Sequence, residues 1–209
     1  MRGLIDIVRM PGGRVRLKHD VWFLRHGETD WNRERRYQGH TDIPLNARGR
    51  EQAARNGAAL KDATRGARGV AFIASPLVRC TETLIIARAA MGLPQRRYGI
   101  DDRLIEIDLG AWNGKTYDEV AEDDPGVHER RGAYKWDFRI PEGETYREAA
   151  ARVRDFLTDL RSPAVIVGHG ATGRLLRGYV TGAPLHRVPH LAMPQDVVFH
   201  IRGGREREL

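Results

Sequence analysis

Arg25 and His26 stand side by side where an apolar run ends, in "VWFLRHG" (Val21 to Gly27). Two further apolar runs end in residues of the same kinds. "VAFIASP" stops at Ser75-Pro76, with Arg79 one helical turn on, and "AVIVGHG" stops at Gly168-His169-Gly170. Guanidinium groups present forked donors that match phosphate oxygens. An imidazole is neutral over much of the physiological range and can attack phosphorus as a nucleophile. Glycines beside the histidines let backbone N–H groups approach a bulky anion. If these strand ends are parallel neighbours, two arginines and two histidines surround one phosphoryl group, and Gly27 makes room for it. Taken singly, each piece has a plainer reading, as a satisfied strand-end histidine or a solvated helix arginine. The argument rests on their convergence.

The elements that must position them can be read from periodicity. "DVWFLRH", "GVAFIASP" and "PAVIVGHG" are continuous apolar runs of buried-strand length. Between them lie helical patterns: "LNARGREQAARNGAALKDA", with Asn46 as N-cap, "LVRCTETLIIARAAMG", stopped by Gly92, and "ETYREAAARVRDFLTDL". "ATGRLLRGYVTG" is a helix ended by Gly182, "TYDEVAED" a short helix, "QRRYGI" a weak strand and "DVVFHIRGG" a last strand. Residues 125–144 lack a period and read as a long loop. Residues 1–20 read as an extension, either a hairpin of "LIDIVRM" and "RVRLK" around Pro11-Gly12-Gly13 or a poorly ordered leader. Residues 21–209 form the main domain. Strands alternating with helices predict a three-layer α/β/α sandwich with a mainly parallel sheet, whose ligands bind beyond the carboxyl ends of the strands.

The totals bound the function. The 209 residues suffice for one domain with a sizeable core, and the 30% charged and 41% hydrophobic content is that of a soluble protein. No apolar run approaches a membrane span, and the first twenty residues lack a secretory pattern, so a cytoplasmic location and no membrane partner are expected. The net charge of +7 is carried mostly by scattered arginines, without the aromatic-interleaved basic block of a nucleic-acid groove; no nucleic-acid partner is expected. Cys80 is the single cysteine, and His186 and His190, four apart around Pro189, read as a surface loop rather than a metal site.

"LRHGETDWNRERRYQGHTDIPLNARGREQA", "SPLVRCTET", "LIEIDLGAWNG", "PEGETYREAAARV" and "VGHG" together resemble the histidine phosphatase superfamily, the phosphoglycerate mutase-like group in its larger branch. The resemblance runs from about Val21 to Val180. It implies a phosphoglycerate mutase-like fold in which His26 becomes a phosphohistidine and Arg25, Arg79 and His169 bind the phosphoryl group. Asn32 matches a position that contacts the same group, Gly170 follows the second histidine beside it, and Gln38 and Gly39 match positions on the substrate side. Glu106 matches the general acid. From its own surroundings Glu106 reads equally as an exposed carboxylate beside Asp108. The resemblance implies neither metal nor other cofactor, because arginines supply the positive charge.

The acid region, "EIDLGAWNG", resembles the broad-specificity and α-ribazole phosphatase types rather than the Glu-Arg-His-Tyr-Gly run of cofactor-dependent mutases. The expectation is a metal-independent phosphomonoesterase acting on a small phosphorylated metabolite, with oligomerisation left open. A cofactor-dependent phosphoglycerate mutase, and a non-catalytic module binding phosphorylated or nucleic-acid ligands, are the alternatives. The chain departs from the family pattern at Gly168, where many members carry serine. Glu28 and Thr29 read as caps of a short helical turn, and Trp31 and Trp112 as pocket walls or as packing. Arg130, Arg131, Lys135 and Arg139 read as solvated loop charge or as readers of a second anionic group.

Overall fold

The computed structural model describes residues 9–209. Among these residues six strands form one sheet: β1 (Val21–Arg25), β2 (Ala71–Ala74), β3 (Gly99–Ile100), β4 (Ala164–Gly168), β5 (Val198–Arg202) and β6 (Arg205–Glu208). Their order is β3-β2-β4-β1-β5-β6. The first four run parallel, β5 runs antiparallel to β1 and β6 antiparallel to β5, so the sheet is mostly parallel, as expected. Pairing of Val21 with Ala164 and of Ala71 with Ala164 brings the carboxyl ends of β1, β4 and β2 level at one edge.

Among the described residues seven α-helices accompany the sheet: α1 (Asp30–Arg33), α2 (Ala47–Ala63), α3 (Val78–Ala90), α4 (Tyr117–Asp123), α5 (Val127–Ala133), α6 (Tyr146–Asp159) and α7 (Gly170–Thr181). Side chains alternate across a strand, so continuous apolar runs bury both faces. Phe23, Ile166 and Phe199 pack with Val153 and Phe156 of α6 and Leu175 and Leu176 of α7. Trp22, Leu24, Val165 and Val167 point the other way, against Leu60 of α2 and Cys80 and Leu84 of α3. A third cluster joins Tyr37, Trp112, Val120, Val127 and Ile140 beside the sheet.

The helix signals act as read. Asn46 accepts from Gly49 N at 2.9 Å to cap α2, and Thr29 and Thr116 close capping boxes on α1 and α4. Gly92 and Gly182 follow α3 and α7 at φ +76° and +77°. Two readings are corrected. Residues 125–144 are not all loop, because α5 forms within them, started by Gly126 at φ +80° and presenting the buried Val127. Seven residues with one inward apolar side chain carry too little periodicity to read. Residues 14–18 form no strand. The turn at Pro11-Gly12 is present, with Gly13 N bonded to Met10 O, and Val15 N bonds the carbonyl of Tyr179 on α7 instead of a hairpin partner. The rest of that expected hairpin, residues 4–8, lies outside the described residues.

Gly27 proves to be needed for packing rather than for room around an anion. A Cβ on it would lie 2.2 Å from the carbonyl oxygen of Gly49, and a Cβ on Gly49 would lie 2.1 Å from that of Glu28. The loop after β1 is thus seated directly on the first turn of α2. Both contacts are backbone and cannot swing aside. Gly27→Ala is expected to lower stability by roughly 1–3 kcal/mol in urea unfolding, with an unchanged m-value; stability equal to wild type would contradict this close approach.

Candidate active site

The level strand ends place Arg25 beside Gly168, and His26 N bonds the Gly168 carbonyl at 3.0 Å. The His26 and His169 rings then lie 5.2 Å apart, centroid to centroid, at 60°. A cavity of about 570 Å³ opens here, lined by Arg25, His26, Asn32, Gln38, Arg79, Glu106 and Gly170 among others.

The buried histidines take opposite tautomers. His26 Nδ1 lies 2.8 Å from the Gly27 carbonyl oxygen, which only accepts, so Nδ1 carries the proton and the neutral ring keeps its lone pair at Nε2. His169 Nδ1 accepts from Arg79 Nε at 3.2 Å, so its Nε2–H donates to Ser75 Oγ at 2.7 Å. Both rings are held well below the ordinary value of 6.5. Burial is the first cause and the Arg79 charge the second for each; Arg25 adds to both, and for His169 so does His26. Both are therefore neutral at physiological pH.

The two arginines differ. Arg79 is fully buried and spends four of its five N–H bonds inside the protein: Nε on His169, Nη1 on Thr41 O at 2.9 Å, and Nη2 on Gln38 O and Gly39 O at 3.1 and 2.8 Å. Arg25 donates Nη1 to Met193 O at 3.1 Å, and its buried Nε has no partner among the described residues. Arg25 is the open fork and Arg79 a fixed charge behind it. Burial pulls both guanidinium groups below their ordinary value.

Glu106 lies at the amino end of α7, where it accepts from Ala171 N at 3.1 Å and Thr172 N at 3.4 Å. Arg152 secures this segment. It donates to the carbonyls of Arg103, Ile105 and Glu106 while both oxygens of Glu144 hold its fork at 3.0 and 2.8 Å. Asn32 donates to Gln38 Oε1 at 3.3 Å and accepts from Gln195 Nε2 at 2.8 Å. Gln38 Nε2 is buried without a partner among the described residues, and Gln38 lines the cavity.

The site residues read from the sequence thus sort by place. Arg25, His26, Asn32, Gln38, Arg79, Glu106 and Gly170 line the cavity. A Cβ on Gly170 would sit 3.5 Å from Glu106 Oε2 and 3.9 Å from Arg25 Nε, so this glycine faces the site. Gly39 lies behind it, its carbonyl on Arg79 and its N–H on Asn113 Oδ1 at 2.8 Å. His169 lies beneath, fully buried, with both nitrogens engaged. A side chain at Gly168 would press on Phe23, 3.0 Å away, so this glycine serves packing. Trp112 packs against Tyr37 at 5.1 Å, and Cys80 is buried. Arg152, Arg174, Gln195 and Ser75 as the partner of His169 went unread. Only Arg174 left a signal, four residues after Gly170 and so on the same helix face. The partners of Arg152 and Gln195 come from distant segments.

Fold and site together define an α/β protein that concentrates neutral imidazole and buried guanidinium at the carboxyl edge of a parallel sheet. The model of the histidine phosphatase superfamily (branch 1) matches residues 21–208, and the chain belongs to that family of enzymes. It is 34% identical over 171 residues to "Probable phosphoglycerate mutase GpmB" of Enterobacter sp. (strain 638), covering 79% of this chain and 76% of that one. It is 35% identical over 170 residues to a bifunctional protein of Mycobacterium tuberculosis, covering 81% of this chain and 43% of the relative. Among solved structures, mycobacterial glucosyl-3-phosphoglycerate phosphatase matches with a TM-score of 0.75 at 25% identity, over 91% of this chain and 96% of that one. A protein of Thermus thermophilus matches with a TM-score of 0.70 at 30% identity, over the same shares. Among the described residues no helix is long and apolar enough to cross a membrane.

The lowered histidines fix the sign of a pH effect. As pH falls through about 6.5 the unfolded chain takes up protons that the folded rings refuse, so stability is present above that pH and lost below it. The slope reaches about 1.4 kcal/mol per pH unit for each ring. Urea midpoints are expected to fall between pH 7.5 and pH 5.5, and to fall less in His169→Asn. Equal slopes in the two proteins would contradict the burial of a neutral His169.

Proposed function

We propose that this chain hydrolyses phosphomonoesters through a phosphohistidine formed at His26. The observation that carries the reading is the tautomer of that ring. Its proton is held on Nδ1 by the Gly27 carbonyl, its pKa is lowered, and Nε2 is left as a lone pair in a cavity that Arg25 and Arg79 also line. Nε2 attacks phosphorus and the bond to the ester oxygen breaks. Arg25, with its unspent donors, takes the phosphoryl oxygens, and the fixed charge of Arg79 stabilises the transferring group. His169 acts through Arg79, whose Nε it holds.

Glu106 in its protonated form gives its proton to the departing alkoxide, a poor leaving group without one. The resulting carboxylate takes a proton from water. The hydroxyl oxygen attacks phosphorus, inorganic phosphate leaves, and His26 and Glu106 return to their first states. Asn32 and Gln38 complete the donor set; Gln38 Nε2, without a partner among the described residues, can meet a substrate oxygen. The structural neighbour that is a glucosyl-3-phosphoglycerate phosphatase supports hydrolysis. The mutase name of the relatives favours a second reading, in which the phosphoryl group returns to a phosphoglycerate.

In metal-free buffer the protein is expected to hydrolyse p-nitrophenyl phosphate, and His26→Ala to lose at least roughly a thousandfold in kcat. Activity surviving that substitution would overturn the reading. Glu106→Gln is expected to lose on the order of 10²–10⁴-fold on an alkyl phosphate and clearly less on the aryl ester, whose leaving group needs no proton. Equal losses would remove Glu106 from the acid role. Exchange between phosphoglycerates that requires a bisphosphorylated primer, without net hydrolysis, would establish the mutase instead.

A further inference from the structure

The end of the fold away from the catalytic cavity has a concentration of charge of its own. Residues 14–19 form a strap that leads into β1 past the carboxyl end of α7, where Val15 N bonds Tyr179 O at 3.0 Å. A cavity of about 540 Å³ lies between the strap and α6, and one of about 320 Å³ between the strap and the turn joining β5 to β6. α7 has 12 residues and separates these cavities from the catalytic centre at its other end, a length of about 18 Å.

Exposure alternates along the strap. Val15 and Leu17 are half-buried and pack on the core, while Arg14, Arg16 and Lys18 are exposed. Alternate residues of an extended chain stand about 7 Å apart, so the strap carries a row of cations. Arg154 and Arg161 face it across the larger cavity. Among the described residues no Asp or Glu lines either cavity, and Arg14, Arg16, Lys18 and Arg154 form no ion pair. This is against the habit of the surface: Arg50 pairs with Glu82 at 2.7 Å, Arg130 with Asp124 at 2.6 Å and Arg139 with Glu148. Arg131 and Lys135, which have no carboxylate partner among the described residues, line the catalytic cavity and belong to that site.

Two of the strap-side cations are seated in advance. Arg14 Nε donates to Val180 O at 3.0 Å, and its guanidinium occupies the place a side chain would take on Gly204, with Nη2 1.2 Å from that Cβ position. Arg154 Nη2 donates to Gly12 O at 3.2 Å, and its buried Nε has no partner among the described residues. Neither cavity is lined by an aromatic ring, so a nucleic-acid base has no stacking platform here. What the site offers is closely spaced positive charge and forked donors, the chemistry that binds phosphate.

We propose that Arg14, Arg16, Lys18 and Arg154 form a second, non-catalytic site for a linear oligophosphate, whose linked anionic groups lie along the strap. Arg14 and Arg154 fix the two sides of the site, and Arg16 and Lys18 supply the row between them.

Tripolyphosphate tests it, followed by calorimetry. Arg25→Gln serves as the background, because it disables the phosphate fork of the catalytic cavity. That protein is expected to bind tripolyphosphate, and adding Arg16→Gln and Lys18→Gln is expected to weaken binding by roughly tenfold or more, the scale of one hydrogen bond to a charged group. Both strap side chains are exposed, so the added substitutions are expected to leave the urea midpoint unchanged. Hydrogen exchange in residues 9–20 is expected to slow when tripolyphosphate is added. Absence of binding to Arg25→Gln, or equal binding with and without the two strap substitutions, overturns the proposal, as does slowed exchange confined to the catalytic cavity. Orthophosphate binding as tightly as tripolyphosphate overturns the linked-phosphate assignment. Tighter binding of a ten-residue oligothymidylate, or of phosphatidylglycerol vesicles, overturns the choice of a free oligophosphate.

Discussion

The buried guanidinium of Arg79 is the constraint on which the site depends. A cation removed from water is costly unless its charge is met, and the usual remedy is a carboxylate. Here three backbone carbonyls and an imidazole nitrogen surround it instead. They satisfy its N–H bonds without cancelling its charge. The result is a fixed positive potential at the end of the sheet, already desolvated and already oriented. The segment from Gln38 to Thr41 curls around the guanidinium to supply those carbonyls, and Gly39 packs against the Leu109 amide to allow it.

That potential governs the rest of the chemistry. With burial, which acts more strongly, it keeps both imidazoles neutral, which leaves His26 a lone pair at Nε2 and gives His169 one for Arg79 to hold. Glu144 is clasped by Arg152, and Glu28 by Asn46, whereas the Glu106 carboxylate accepts from backbone amides, those of Ile107, Ala171 and Thr172.

The parts legible in the sequence were those that repeat or punctuate. Apolar runs ending in Arg-His-Gly, Ser-Pro and Gly-His-Gly located the sheet edge, because a buried parallel strand has no polar interruption until it emerges. Asn46, Gly92 and Gly182 marked helix ends, because capping chemistry is local. What stayed hidden depended on distance. Gly27 reads as space for a ligand until Gly49 is seen against it. Arg152 reads as one more charge on a helix until three carbonyls of another segment converge on it. The short α5 carries one inward apolar residue, too few for a period. Arg131 and Lys135 were indistinguishable in sequence from Arg130 and Arg139. Only the fold separates the cations that find carboxylates from those that do not.

The chain's one thiol adds a last consequence. Cys80 sits in the floor of the site, its Sγ 3.4 Å from His169 Nε2 and from the Gly168 carbonyl oxygen, and burial pushes it up to about 12. Such a sulfur is inert to alkylating reagents while the floor is closed. Its labelling rate in native buffer would therefore count how often α3 parts from β4, giving the enzyme an intrinsic clock for the opening of its own catalytic centre.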